Sequence, residues 1–260
     1  MKTVSSTESI QYQPPTWEAI LAAHARIAPR IHRTPVLTSA SLNAIAGARL
    51  FFKCENLQKT GSFKIRGASN AILSLTEQEV ARGMVTQSSG NHGAAVACAA
   101  AWRGVPAWIV MPRNAPAVKA AAIEGYGGKI VLCEPTVTAR KATCDRVQAL
   151  TSGTLQSLES SDTIADGLRA SLAPRTFAIL RRHVESILLV SEEEIISAAR
   201  LVWERMKIVI EPSSAVAIAP LLKPGVVASL NLPKRTDGGT PKLGVIFSGG
   251  NLDVSSLPWK

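Results

Sequence analysis

Between residues 49 and 150 the chain alternates short apolar runs with alanine-rich stretches, and this alternation restricts its possible folds more than any other feature. The runs Arg49–Cys54, Met84–Gln87, Ala107–Met111 and Lys129–Cys133 have the length and apolar content of strands. Ser62–Leu75, Asn91–Trp102, Ala115–Tyr126 and Val137–Leu150 read as helices between them, with Gly104, Gly127 and Gly128 where helices should stop. Such repetition predicts βαβ units and a parallel sheet.

The pattern breaks after residue 150, and no strand-like run lies between Ala149 and Thr163. Beyond the break Val184–Val190 reads as a strand, and Ser191 with Glu194 forms a capping box that opens a helix through about Met206. Glu211-Pro212-Ser213-Ser214 precedes another helix of small residues. A polar loop from Lys234 to Lys242 then leads to a last strand, Leu243–Phe247, ending in Ser248-Gly249-Gly250-Asn251.

With 260 residues, 46% apolar and 18% charged, the chain can bury a substantial core. Its net charge of +10 is scattered singly and has no run with interleaved aromatics, so it suits a small anionic ligand better than a nucleic acid. Cys54, Cys98, Cys133 and Cys144 have neither the paired spacing of a zinc site nor the density of a disulfide scaffold, which predicts a reducing compartment and no metal centre built on them. The first residues lack the apolar core of a secretory leader, and no segment approaches membrane-spanning length. The expected location is cytoplasmic, with no membrane partner.

Three segments carry chemistry. In Lys59-Thr60-Gly61-Ser62-Phe63-Lys64-Ile65-Arg66-Gly67 a lysine stands near a helix start, where the positive dipole end disfavours a charged amine. A neutral amine is what Schiff-base chemistry needs, although the same segment taken alone reads first as a solvated lysine in a basic first turn. Ser88-Ser89-Gly90-Asn91-His92-Gly93 joins a strand to an alanine-rich helix, and its small residues leave N–H groups and hydroxyls at the sheet's mouth, a ready site for a carboxylate. His92 has no nucleophile in the sequence to activate and reads as a hydrogen-bonded structural residue or as a base. Ser248-Gly249-Gly250-Asn251 places a hydroxyl at the carboxyl edge of the last strand, where ligands of open α/β sheets sit.

Taken in order, these segments resemble the signature of the fold-type II pyridoxal-phosphate enzymes, and within them the group of serine racemase and the serine/threonine dehydratases. Arg33-Thr34-Pro35-Val36, Lys53-Cys54-Glu55-Asn56-Leu57-Gln58, Thr163-Ile164-Ala165-Asp166-Gly167, Trp203-Glu204-Arg205-Met206-Lys207 and Ile210-Glu211-Pro212 extend the resemblance over roughly residues 17 to 150 and 158 to 260. It implies a two-domain α/β fold of open parallel sheets, of the tryptophan synthase beta-like kind. A small substrate-binding domain would span residues 80–150, and a larger cofactor-binding domain would combine residues 1–79 and 151–260. The implied cofactor is pyridoxal 5'-phosphate, with Lys64 its Schiff-base partner and α-proton carrier. Phe63, Asn91, Glu211 and Ser248 would bind the cofactor, with Asn91 at the ring hydroxyl and Ser248 at the pyridine nitrogen. A serine there leaves that nitrogen largely unprotonated, which weakens the ring as an electron sink. Ser88, Ser89, Asn91, His92, Arg140 and Asp166 would hold a small hydroxy-amino acid such as serine or threonine. Ser89 separates the subgroups, since a hydroxyl facing the lysine supplies the second acid-base group of racemisation, or else simply binds carboxylate. Intact relatives would be homodimers. The alternatives are a cysteine-synthase-like β-replacement enzyme and a catalytically dead form that pairs with a full-length subunit.

The chain departs from the group near Gln156. Relatives carry about two further βαβ units there, roughly 60 to 80 residues on the usual unit size. These include a glycine-rich loop for the cofactor phosphate, and this sequence has no run of four glycines. The acidic ligands of a magnesium or calcium ion in full-length relatives would come from the same region. The resemblance thus implies a larger domain truncated by an internal deletion, and a form impaired in holding its cofactor.

Overall fold

The computed structural model describes residues 14–134, 163–168, 174–233, 236–257 and 259. The expected helix Val137–Leu150, with Arg140 and Cys144, and the junction near Gln156 lie outside the described residues. The described strands are β1 (Val36–Leu37), β2 (Arg49–Cys54), β3 (Met84–Gln87), β4 (Ala107–Pro112), β5 (Lys129–Cys133) and β6 (Lys242–Phe247). The helices are α1 (Trp17–Ile27), α2 (Ala40–Ala46), α3 (Lys64–Leu73), α4 (Glu77–Val80), α5 (Asn91–Trp102), α6 (Ala117–Gly125), α7 (Pro174–His183), α8 (Glu192–Met206), α9 (Pro212–Ala215) and α10 (Val226–Ser229).

The strands form two three-stranded sheets, ordered β1-β2-β6 and β3-β4-β5. The second is wholly parallel, while in the first β2 runs parallel to β6 and antiparallel to β1. The expected α/β class with parallel sheets is therefore met. Along β2, Leu50, Phe52 and Cys54 alternate into one core, where Phe52 stacks on Phe247 with centroids 4.8 Å apart. Ile195, Ala198, Ala199 and Val202 of α8 close this core.

The second core is built around α5, where every residue from Gly93 to Ala100 is buried. A helix buried on all sides reads as continuously apolar, and its alanines let α3, with Ile65, Ala68 and Ile72, pack closely against it. Gly93 allows a close approach: a Cβ there would lie 2.8 Å from the Ser88 carbonyl oxygen and 2.9 Å from Ile109 Cγ2. This contact seats the start of α5 directly over the end of β3.

One expected strand does not form. Val184–Val190 follows α7 as irregular chain, with Ile187 and Leu189 81% and 83% exposed. A strand exists only through a neighbour to pair with, and among the described residues none lies beside this run. No described helix is long and apolar enough to cross a membrane.

Candidate active site

The carboxyl ends of β2, β3 and β6 each run into one of the three segments singled out in the sequence. After β2, the turns Glu55–Leu57 and Lys59–Gly61 lead to Lys64, the first residue of α3. This approach is zipped onto the loop after β6. Phe63 N–H donates to the Ser248 carbonyl (2.9 Å), Gly250 N–H donates to the Gly61 carbonyl (2.9 Å), and Ser62 bridges Gly249. Thr60 is held at φ +60°, a left-handed conformation that a β-branched residue adopts only when its surroundings impose it. Gly61, at φ +70°, lies against Asn251, so a side chain there has no room.

A buried ion pair fixes the start of α3. Arg66 donates twice to Glu55, at 2.7 Å to each carboxylate oxygen, and Thr34 Oγ1 donates to the same group at 2.5 Å. Burial opposes the Glu55 charge, but the hydrogen bonds from Arg66 and Thr34 outweigh it and hold the carboxyl below its usual value. Gln58 adds a clamp, accepting from the His32 and Lys59 N–H groups and donating to the His32 carbonyl.

The second and third segments meet through a triad absent from the sequence reading. Asn91 Nδ2 donates to both oxygens of Glu211 (2.9 and 3.0 Å), Asn251 N–H donates to Glu211 (3.1 Å), and Asn251 Nδ2 donates to Asn91 Oδ1 (2.9 Å). Burial raises the Glu211 pKa against the Asn91 hydrogen bond, and the charge of Asp166 raises it further. Ser248 Oγ lies 3.1 Å from Ser214 Oγ, which also binds the backbone of Gly249. The Asn91 and Ser248 side chains are thus both engaged with protein partners.

Lys64 Nζ lies 4.8 Å from the centroid of the exposed Phe63 ring. His92 stands at the mouth of the site, where partial desolvation and then the charge of Lys64 lower its pKa. Ser88 Oγ accepts from Gly90 N–H (3.3 Å), and Ser89 is half-buried in the same turn. Asp166 is paired with Lys119 of α6, and Ser213 Oγ lies 3.5 Å from it. Lys64, Ser88, Ser89, Asn91, His92, Glu211 and Ser248 thus lie on connected turns. Sequence reading missed the positioning role of Glu55 and Arg66 and the part of Asn251, whose only signals were a carboxylate directly after an apolar strand and an amide ending the Gly-Gly turn.

The residues fit the ring of a pyridoxal cofactor. An amine stands beside a turn rich in hydroxyls and amides, and the stretch of chain between β2 and Lys64 holds three buried polar atoms without protein partners, Asn56 Oδ1, Thr60 Oγ1 and Ser62 Oγ.

The chain matches the family described as pyridoxal-phosphate dependent enzyme over residues 27–154 and 145–234. It is 36% identical to the beta-hydroxyaspartate dehydratase of Paracoccus denitrificans (strain Pd 1222), over 94% of this chain and 99% of that protein. It is 37% identical to the serine racemase of Dictyostelium discoideum, over 93% of this chain and 96% of the relative. The structure of maize serine racemase superposes with a TM-score of 0.82 at 34% identity, covering 92% of this chain and 94% of that one. The dehydratase alignment runs over 321 positions, whereas 94% of 260 residues is about 244, so about 77 aligned positions have no counterpart here. The two family segments meet at residues 145–154, where the strand-helix alternation breaks.

Proposed function

Because the chain belongs to the family of pyridoxal-phosphate-dependent enzymes and is an enzyme of the racemase and dehydratase kind, we propose that it acts on a small hydroxy-amino acid such as serine or threonine, with Lys64 as its cofactor-bearing residue. The observation that carries this reading is the convergence of the Lys64, Asn91 and Ser248 turns at the carboxyl ends of β2, β3 and β6, tied by the Phe63–Ser248 and Asn91–Asn251 hydrogen bonds.

Bound pyridoxal phosphate supplies an electron sink that acidifies the Cα–H of an attached amino acid. In this reading Lys64, Phe63, Asn91, Glu211 and Ser248 hold that group. Lys64 Nζ carries the α-proton on one face of Cα. Ser88, Asn91, His92 and the N–H groups at the start of α5 receive the substrate carboxylate, which the helix dipole also favours. Ser89 Oγ is the second proton carrier that racemisation requires, and departure of the β-hydroxyl without reprotonation at Cα gives elimination. Partial burial and then the charge of Lys64 lower the His92 pKa, which favours its neutral ring.

Incubating the purified chain and cofactor with L-serine, then assaying D-serine and pyruvate, tests the reading. Either product supports it. Formation of product only when a second, nucleophilic substrate is added would instead make this a β-replacement enzyme.

A further inference from the structure

The cleft beside Asn91 is walled by Gly90, Val118, Lys119, Asn251 and Leu252, and Lys119 is the single charged side chain among the described residues lining it. A lone ammonium in such a wall would attract a second carboxylate on the substrate. Here it is not alone, because Lys119 from α6 is paired with Asp166, and the two side chains are 17% and 35% exposed. Asp166 is itself held in place: its N–H donates to the Ile164 carbonyl (2.8 Å), and Gly167 N–H donates to Ser213 Oγ (2.9 Å), which faces the carboxylate.

We propose that the Lys119–Asp166 pair sets the charge class of the accepted substrate, admitting an uncharged β-substituent and disfavouring a second carboxylate. This rests on the reading of the cleft as an amino-acid site. The physical basis is cancellation. A carboxylate approaching Lys119 is attracted by one unit charge and repelled by another beside it, and the field of such a pair falls off faster than that of either charge. Glu211, whose pKa is raised by burial and further by the charge of Asp166, is close enough to that carboxylate to feel it and adds to the repulsion when ionised. Selectivity would then come from the repulsive member of the pair.

The test uses ligands that need no turnover, glycerate with one carboxylate and malate with two, titrated calorimetrically into the full chain. Wild type should bind glycerate at least as tightly as malate. Asp166→Asn, which frees the ammonium, should raise the malate-to-glycerate affinity ratio about tenfold, the effect of one charge-assisted contact. Lys119→Met should lower that ratio by a similar factor, and the double variant should return it to within about threefold of wild type. Opposite signs for the two single variants cannot arise from a loss of packing. An unchanged ratio in both, a malate preference in wild type, or no binding of either acid to any variant would overturn the proposal. Reductive trapping of the cofactor on Lys64 is scored separately, so a failure of the wider functional reading is distinguishable from a failure of this charge filter.

Discussion

A carboxyl withdrawn from water, as Glu211 is, makes stability depend on pH in a direction opposite to an ordinary ion-paired acid. Its folded-state pKa is raised, so as pH climbs past the reference value of 4.5 the unfolded chain loses this proton first. The folded state then binds more protons, and the stability contributed by this group is complete below about pH 4.5 and lost as pH rises through the folded value. Glu211→Gln abolishes that loss, and urea unfolding at pH 5 and pH 8 should show the variant gaining on wild type at the higher pH. No difference between the two pH values would contradict the burial argument. Lys64 makes a sharper claim. Borohydride reduction in the presence of pyridoxal phosphate should add the reduced cofactor mass to the Lys64 peptide, and Lys64→Ala should remove that product while leaving the unfolding midpoint nearly unchanged.

Among the elements, α5 and α3 fix the site, and each has one position on which its placement depends. Gly93→Val would drive side-chain carbons into the Ser88 carbonyl and Ile109. Overpacking of this sort costs about 1–3 kcal/mol, measurable by urea unfolding. Arg66→Met strands the Glu55 carboxylate, 4% exposed, against a partner that is 29% exposed. Breaking a buried pair costs about 3–5 kcal/mol, and the partly solvated arginine reduces the expected loss to about 2 kcal/mol. These elements were legible because they obey local rules. Asn91–Trp102 forms with the expected bounds, and Ser191 and Glu194 make the reciprocal cap. α1, α2 and the short turns around Lys59 were not read, since their apolar faces are narrow or they span only a few residues. Asn251 and Glu211 meet across 40 residues and Asn91 and Glu211 across 120, distances over which sequence spacing carries no signal. The Val184–Val190 misreading has the opposite origin: its composition favours a strand, but strand formation is decided by a neighbour that local composition does not describe.

For the molecule as a whole, the alignment gap of about 77 positions goes with a run, Val184–Val190, that presents exposed apolar side chains and pairs with no strand among the described residues. Ile187→Lys with Leu189→Lys should therefore leave the unfolding free energy within about 0.5 kcal/mol of wild type while raising solubility and lowering the binding of a hydrophobic dye. Cofactor retention is the second prediction at this scale. A phosphate is ordinarily gripped by several backbone N–H groups at about 1.5–3 kcal/mol each. The resemblance implies that the glycine-rich turn supplying four of them is missing, and its loss would remove about 6 kcal/mol, or about 10⁴-fold in affinity. Dialysis of the reconstituted chain should then remove its visible absorbance, and a stable yellow protein that turns over serine would refute this.

The pairing of β2 with β6, from Arg49 opposite Lys242 to Cys54 opposite Phe247, has a consequence for how the chain is made. On the ribosome, at about 5–20 residues per second, β6 emerges some 10 to 40 s after β2. The β3-β4-β5 sheet closes on neighbours that have already left the exit tunnel, whereas β2 waits with Leu50, Phe52 and Cys54 uncovered and with only the two-residue β1 beside it. The first sheet, which bears the Lys64 turn, is thus assembled last. Nascent chains arrested before residue 242 should be held by cellular chaperones through the β2 segment and released once β6 is complete.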